Sequence, residues 1–345
     1  MERIYVIEPG SGLRKDGDAL RVVRPGGEDL LIPAEGLERL TLMGRASLSG
    51  AVLDFLIQKR VETVFLTGTG RFRARLLLDE AGHVARRQAQ YQRLSQPDFQ
   101  VKAAQVLVAG KLENQVRFLL GRARRGAAAE VRPLALQIRA LALRVAGERQ
   151  LDALRGLEGA AARLYYQAFA LLLTHPELRF AGRNRRPPRD PVNAMLSFAY
   201  TLFTNEVLSA VRTAGLDPYL GALHEVAPGR PSLACDLVEE WRVFADRLVL
   251  TLCNRRMVGP EDFVCRPPEA AGEGDEEDQG TARPVSMKPA VCRALIHAYE
   301  GFMQSALPGP QGDTVVRWLV HGQVQAFGRW LTDDSQPYPP YRIGW

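Results

Sequence analysis

The first 80 residues alternate between hydrophobic and polar positions in short runs separated by glycine-rich turns. A period of two residues is typical of strands with one buried face. The runs are RIYVIE, ALRVV, DLLIP, RLTLMG, TVFLTG and FRARLLL. One helical pattern, SLSGAVLDFLIQKR, interrupts them, and GTGRF near the end indicates a tight hairpin turn rather than a phosphate loop. The sequence therefore predicts a small β-rich N-terminal domain over residues 1–95.

From about residue 98 the hydrophobic positions recur with the period of an α-helix. Asp190 is expected to cap one of these helices, with Pro191 in its first turn. The helical patterns are QVKAAQVLVAGKLENQVRFLLGRARR, LDALRGLEGAAARLYYQAFALLL, DPVNAMLSFAYTLFTNEVLSAV and RPSLACDLVEEWRVFADRLVLTLCNRR. The predicted class is α+β, with a larger all-α domain over residues 96–330, a flexible acidic loop at 266–286 and a tail at 331–345.

Composition excludes several classes of protein. The chain has 345 residues, of which 46% are hydrophobic and 24% charged, as in ordinary globular proteins. No apolar run approaches the roughly 20 residues that span a bilayer, and MERIYVIE begins a strand rather than a signal peptide. The four cysteines have no CxxC spacing, which argues against a zinc site or a disulfide framework. We therefore expect a cytoplasmic protein with no membrane partner.

The charge balance points to a polyanionic partner. The net charge is +6, and the acidic run EAAGEGDEED conceals part of the basicity, because 45 basic residues face 33 acids elsewhere. Only five of the basic residues are lysines, and the planar guanidinium of arginine suits phosphate. A GC-rich genome would also enrich arginine, so clustering must decide between these explanations.

Five arginines cluster in RFAGRNRRPPRD. Two prolines exclude a regular helix there, so we expect an extended connection between the helix that contains Glu158 and the helix that follows Asp190. Surface arginines paired with acids are the alternative, although Asp190 is the only acid in the stretch. We predict a DNA-binding segment with these residues: Arg179, Arg183, Arg185, Arg186 and Arg189.

His224 precedes two carboxylates, Asp236 and Glu239, by twelve and fifteen residues. On one continuous helix these carboxylates would lie about 60° apart and could share a cation; a solvated polar face is the alternative. Glu158 lies among small apolar residues in LRGLEGAAARLYY, where a lone buried carboxylate is costly without a partner. An exposed glutamate on the helix shoulder is the other interpretation.

Taken together, the chain resembles the CRISPR-associated adaptation integrases, the Cas-one family. Each matching block is modest, but their order is specific. The blocks are IYVIEPGSGLRKDGDALRV, LMGRASLSGAVLDFLIQKRVETVFL, RRQAQYQRL, GKLENQV, GLEGAAARLYY, GRNRRPPRDPVNAMLSFAY, GLDPYLGALHE and PSLACDLVEEWR. The chain departs from the family pattern at Cys235 and Val243 and by the acidic insertion, none of which touches an expected ligand.

The resemblance implies a homodimer that pairs through the N-terminal domain and carries catalysis in the helical domain. It implies that a Cas-two protein dimer is the partner, and that double-stranded DNA, both spacer fragment and CRISPR leader-repeat, is the substrate. The implied metal ligands are Glu158, His224 and Glu239, with Asp236 as an acidic residue that supports the site. Oxygen-rich ligation with one imidazole suits Mn²⁺ or Mg²⁺.

The implied reaction is metal-dependent DNA nicking and strand transfer, in which the 3′-hydroxyl of a short fragment attacks a repeat phosphodiester. A non-catalytic DNA-binding scaffold would not need the complete ligand set. A mononuclear iron oxygenase would need a second histidine. A transposon-encoded integrase of the same fold stays open, and gene neighbourhood would separate it from a CRISPR enzyme.

Overall fold

The computed structural model describes residues 2–77, 83–184, 187–265, 285–310 and 312–344. The chain divides into two compact units, Met1–Ala81 with Glu261–Ala294, and Gly82–Pro260 with Leu295–Trp345. The predicted domain boundary falls between residues 95 and 96 instead. Most of the acidic stretch, residues 266–284, and Arg185 and Arg186 lie outside the described residues.

The first unit is built from two four-stranded sheets. One has the order β1-β5-β7-β8 and the other β4-β3-β2-β6. In the first sheet β1, β5 and β7 run parallel, and β8 pairs antiparallel with β7. The elements are β1 (Glu2–Val6), β2 (Gly12–Asp16), β3 (Ala19–Val23), β4 (Leu30–Pro33), β5 (Leu37–Met43), β6 (Ser47–Leu48), α1 (Gly50–Gln58), β7 (Glu62–Leu66), β8 (Phe72–Leu76), β9 (Phe263–Cys265) and β10 (Val285–Met287).

Each run predicted as a strand contains one, and α1 is confirmed with Ser49 as its N-cap. The β7–β8 connection is the predicted tight turn, in which Gly70 has φ +83°. β2 was not predicted, because GLRKD is polar on both sides of its single buried leucine, Leu13. The predicted end of the acidic loop is wrong at residues 285 and 286, which pair with β9 as part of β10.

The remainder of the described chain is mostly helical, which confirms the α+β class. The helices are α2 (Val84–Leu94), α3 (Pro97–Ala123), α4 (Val131–Val145), α5 (Leu151–Leu172), α6 (Pro191–Thr213), α7 (Ser232–Leu237), α8 (Arg242–Asn254), α9 (Pro289–Gln304) and α10 (Val316–Thr332), with a short hairpin of β11 (Ala306–Gly309) and β12 (Gly312–Val315). α6 starts as predicted, because the Asp190 carboxylate accepts from the Asn193 backbone N–H at 2.8 Å. None of the helices in the described part of the chain is long and apolar enough to cross a bilayer.

One helical prediction is wrong. The segment RPSLACDLVEEWRVFADRLVLTLCNRR was expected to form a single helix, but it breaks into α7, a one-turn 3₁₀ helix over Glu239–Trp241, and α8. Both glutamates of this turn are buried, at 3% exposure each. Their partners lie on other elements, and the 3₁₀ turn directs each carboxylate toward its own partner. Asp236 and Glu239 consequently do not share the face of one continuous helix.

Candidate active site

Two of the predicted ligands, Glu158 and Glu239, converge on one cation, the ammonium group of Lys111. Glu158 lies in the second turn of α5 and Lys111 in the middle of α3, where its side chain is 5% exposed. The Lys111 Nζ atom contacts Glu158 Oε1 and lies 2.6 Å from Glu239 Oε2. A buried charge is costly unless paired, and here one ammonium group offsets two carboxylates from different helices.

The Glu239 carboxylate is held in its ionised form. Burial raises its pKa, but Arg242, Lys111 and the nearby His224 more than offset that effect and lower the pKa to about 2. The Arg242 guanidinium lies 3.2 Å from Glu239 Oε1. Burial also lowers the pKa of Lys111, and the charges of Glu239 and Glu158 more than restore it. The site therefore concentrates opposite charges away from water.

Asp236 fixes the loop that carries His224. Its carboxylate is fully buried and accepts backbone N–H bonds from Ala222 at 2.6 Å, Leu223 at 3.0 Å and His224 at 3.0 Å. The His224 ring atom Nδ1 lies 2.6 Å from Asp236 Oδ1. Because the Asp236 carboxylate already accepts three backbone N–H bonds, this geometry favours a proton on Nδ1 that is donated to Asp236, and Nε2 is then the ring nitrogen available to a ligand.

Arg155 ties the same loop to α5. It lies one turn before Glu158, and its Nε donates to the Leu223 carbonyl at 2.9 Å. Its NH1 also reaches Glu225 Oε1 at 2.9 Å. Because the residue beside His224 is bonded to the helix of Glu158, the two predicted ligands are held in register by one side chain.

An open groove lies against the exposed side of His224. It has a volume of about 620 Å³ and is lined mainly by α5 and the His224 loop, including Gln150, Asp152, Arg155, Gly221 and Glu225. Methyl groups placed on Gly156 or Gly159 would meet no described atom within 4 Å. The surface around Glu158 is therefore also open.

The predicted ligands, two carboxylates and one imidazole, are donors that suit a hard divalent cation. No three histidine, cysteine or acidic side chains of the described residues are grouped so that they could hold an ion as they stand. The Lys111 ammonium group occupies the space between two of the carboxylates and supplies the positive charge there. Burial raises the pKa of the neighbouring Cys235 thiol to about 11, so no thiolate competes with oxygen and nitrogen ligands.

Sequence reasoning missed Lys111 and Arg242. Lys111 follows Leu107 by four residues and Val108 by three, so it lies on the apolar face of its helix. Because the chain has only five lysines, a lysine on the apolar face of a helix could have indicated a buried charge that needs an acidic partner. Arg242 had no comparable signal, because its role depends on the break in the helix after Val238.

The predicted DNA-binding arginines divide into two groups. Arg179 and Arg189 are exposed. Arg183 is directed inward, since its NH1 donates to Asn193 Oδ1 at 2.8 Å and its NH2 to Ser197 Oγ at 3.1 Å. Its guanidinium also lies over the Tyr200 ring at 5.3 Å. Arg183 therefore holds the start of α6.

A second basic cluster was not predicted. Arg122, Arg125 and Arg247 line one small surface depression at the C-terminal end of α3. Burial and the charge of Arg125 lower the pKa of Arg122, and burial with the charges of Arg122 and Arg125 lowers the pKa of Arg247. Like charges held this close favour an anionic ligand.

Comparison with known proteins agrees with the fold. The family model for CRISPR associated protein Cas1 matches residues 4–271. A CRISPR-associated endonuclease Cas1 of Thermus thermophilus is 42% identical over 345 residues, which is 99% of this chain and 97% of that relative. The chain therefore belongs to the Cas1 family, the family named above as Cas-one.

Two solved structures share the fold. A casposase bound to an integration product has a TM-score of 0.83 at 20% identity, covering 100% of this chain and 96% of that one. A chain of a Cas6-RT-Cas1–Cas2 complex has a TM-score of 0.82 at 21% identity over 99% of this chain, which spans 36% of that longer chain.

Proposed function

We propose that this chain is a metal-dependent DNA endonuclease and integrase of CRISPR adaptation. In strand transfer the 3′-hydroxyl of a short DNA fragment attacks a phosphodiester of the CRISPR repeat, a new P–O bond forms, and the bond to the repeat's own 3′ oxygen breaks. In the isolated nuclease reaction water is the nucleophile. The number of phosphodiesters is unchanged in strand transfer, so the chemistry needs no ATP.

The convergence of Glu158 and Glu239 on one buried positive charge, beside an imidazole whose Nε2 is left available, carries this proposal. Glu158, Glu239 and His224 are the proposed ligands of Mn²⁺ or Mg²⁺. Such a cation would polarise the phosphodiester and offset charge on the leaving oxygen. Asp236 orients His224, while Arg242 holds Glu239 ionised. Lys111 separates the two carboxylates until a cation binds.

The first experiment uses volume-preserving variants. Glu158→Gln, Glu239→Gln and His224→Gln should each abolish Mn²⁺-dependent nicking and strand transfer, because each removes one proposed ligand while the side-chain volume is nearly kept. Glu177→Gln, an exposed glutamate elsewhere in the helical part, is the matched control and should retain full activity. Wild-type activity of any one ligand variant, in metal-scrubbed buffer to which only Mn²⁺ has been returned, would remove that residue from the proposed site.

DNA binding is proposed to use two sets of arginines. Arg179 and Arg189 flank the connection to α6, and the Arg122–Arg125–Arg247 cluster lies about 16 Å along α3 from Lys111, by the rise of an α-helix over eleven residues. We expect phosphates of one duplex to contact both sets, and the open surface at Glu158 leaves room there for a DNA backbone.

The proposed partners are a second copy of this chain and a Cas2 protein. The fold that this chain shares with a chain of a Cas6-RT-Cas1–Cas2 complex supports the second partner. A transposon-encoded integrase is the remaining candidate, favoured by the fold shared with a casposase. Relatives named as CRISPR-associated endonucleases at up to 42% identity favour the CRISPR role. Strand transfer into a repeat-containing target, compared with one carrying terminal inverted repeats, separates the two.

A further inference from the structure

The tail, residues 333–344, has no regular secondary structure, yet three of its residues are buried: Tyr338, Tyr341 and Ile343. It lies along one stripe of α3 formed by Gly110, Asn114 and Arg117, which are three to four residues apart and so share a face. Asn114 Nδ2 donates to the Tyr341 carbonyl at 2.8 Å, and Asn114 Oδ1 accepts from the Ile343 N–H at 3.0 Å.

The same tail holds the turn that carries Glu239. The Glu240 carboxylate accepts from the Tyr338 hydroxyl at 2.7 Å and from the Tyr341 N–H at 2.6 Å. The Tyr341 ring stacks on Trp241 with centroids 4.8 Å apart and planes 17° apart. Asn114 closes the arrangement, because its Nδ2 also donates to the Glu240 carbonyl at 2.9 Å.

Docking of the tail bears on Glu239 because neighbouring residues of the same turn contact α3 and the tail. Glu239 reaches Lys111 on α3, whereas the next residue, Glu240, is bound by the tail and by Asn114, one turn further along α3. Without the tail, the buried Glu240 carboxylate would lose the hydroxyl and N–H that satisfy it, and such a group is costly to leave unpaired. The turn would then shift, and Glu239 with it.

We propose that the tail is a positioning element of the candidate site, which keeps the Glu239 carboxylate opposite Glu158 by holding the turn Glu239–Trp241 against α3. This inference rests on the proposed function for its link to metal binding. Tyr338, Tyr341 and Asn114 are positioning residues, since they act through Glu240 and Trp241 and not on the substrate.

Two glycines of α3 provide a matched pair of variants. A methyl group on Gly110 would lie 2.6 Å from Pro340 Cβ and would displace the tail, whereas one on Gly121 of the same helix would meet no described atom within 4 Å. Both substitutions raise helix propensity equally. Gly110→Ala should weaken Mn²⁺ binding, measured by calorimetry without DNA, by about 10–100-fold, the usual effect of losing an outer-shell contact. Gly121→Ala should bind Mn²⁺ as the wild type does.

Hydrogen exchange separates this inference from the proposed function. In metal-free protein, backbone amides of residues 238–242 should exchange faster in Gly110→Ala than in Gly121→Ala. If the wild type binds no Mn²⁺ but this difference is found, the metal assignment fails and the positioning role of the tail on the turn stands.

A milder variant keeps the test decisive if Gly110→Ala does not fold. Tyr338→Phe keeps the ring and removes only the hydroxyl that donates to Glu240, so it should weaken Mn²⁺ binding by roughly 2- to 10-fold, below the range for losing a whole outer-shell group. Wild-type Mn²⁺ affinity together with wild-type exchange at residues 238–242, in every variant that folds, would overturn the proposal.

Discussion

Asp246 is a buried carboxylate behind the candidate site, at 1% exposure. It accepts a hydrogen bond from the Tyr165 hydroxyl at 2.7 Å and another from the Tyr200 hydroxyl. Burial raises its pKa from 3.8 to about 6, although the two tyrosines, Arg242 and Arg183 act in the opposite direction. The folded protein therefore binds this proton more tightly than the unfolded chain does.

This difference predicts a pH dependence of stability. A group whose pKa is raised on folding favours the folded state at low pH, and that contribution is lost as pH rises from about 4 through about 6. Relative to Asp246→Asn, the wild type should lose about 2 kcal/mol of unfolding free energy between pH 4.5 and 7.5. Urea unfolding at both pH values measures the difference. Parallel pH profiles of wild type and Asp246→Asn would contradict the assignment.

At the scale of the element, Gly221 lets the His224 loop close over Asp236. A methyl group at this position would lie 2.4 Å from Asp236 Oδ2 and 2.9 Å from the Ser232 backbone carbon. Because backbone cannot yield as a flexible side chain can, Gly221→Ala should displace the loop and weaken Mn²⁺ binding about 10–100-fold without removing a proposed ligand.

Gly322→Ala is the control for this change. Gly322 lies in α10, and a methyl group there would meet no described atom within 4 Å. It should leave Mn²⁺ affinity unchanged and raise thermal stability, as alanine does in helix interiors. Equal Mn²⁺ affinities in the two glycine variants would show that the His224 loop does not need its present position.

The connection before α6 contains two exposed arginines that are proposed to bind DNA, and a third, Arg183, that is directed inward. The double variant Arg179→Ala/Arg189→Ala should flatten the slope of log K for DNA binding against log salt concentration by roughly two, since each phosphate contact contributes about 0.9. Arg183→Ala should leave the slope unchanged and lower the melting temperature, because its guanidinium bonds Asn193 and Ser197. Fluorescence anisotropy on a short duplex at several salt concentrations measures both variants. A flattened slope in Arg183→Ala, together with an unchanged slope in the exposed pair, would assign DNA binding to Arg183 and not to Arg179 and Arg189.

At the scale of the whole molecule, the first unit exposes apolar side chains on edge strands. β4 and β8 each lie at the edge of a sheet, and they expose Leu31 at 51% and Phe72 at 47%. Exposed edges with apolar side chains favour association, which agrees with the proposed homodimer.

Lysine at these positions should therefore lower the dimer fraction measured by sedimentation velocity. Leu31→Lys or Phe72→Lys adds a charge that an apolar interface disfavours. Because lysine stays charged at low pH, lowering the pH should not restore the dimer in either variant. Leu143→Lys on α4, at 76% exposure, is the control and should sediment as the wild type does. An unchanged dimer fraction in both edge variants would place the interface elsewhere.

The sequence alone determined the features that depend on neighbours along the chain. The period of two residues identified the strands around Val6, Leu40 and Val64, and the period of 3.6 identified α3, α5 and α6. The Asp190 cap followed from the residue types at one helix start. Spacing and local composition singled out Glu158, His224, Asp236 and Glu239, and the resemblance then gave these residues their expected roles, because the order of the blocks is preserved along the chain.

Only the tertiary structure decided how the charges are paired. Lys111 and Glu158 are 47 residues apart, and Asn114 and Glu240 are 126 apart, so no local period connects them. The break after Val238, the inward direction of Arg183 and the docking of the tail share one cause. A buried charge or hydrogen-bonding group is tolerated only where partners from other helices satisfy it, and those partners are brought near only when the chain is folded.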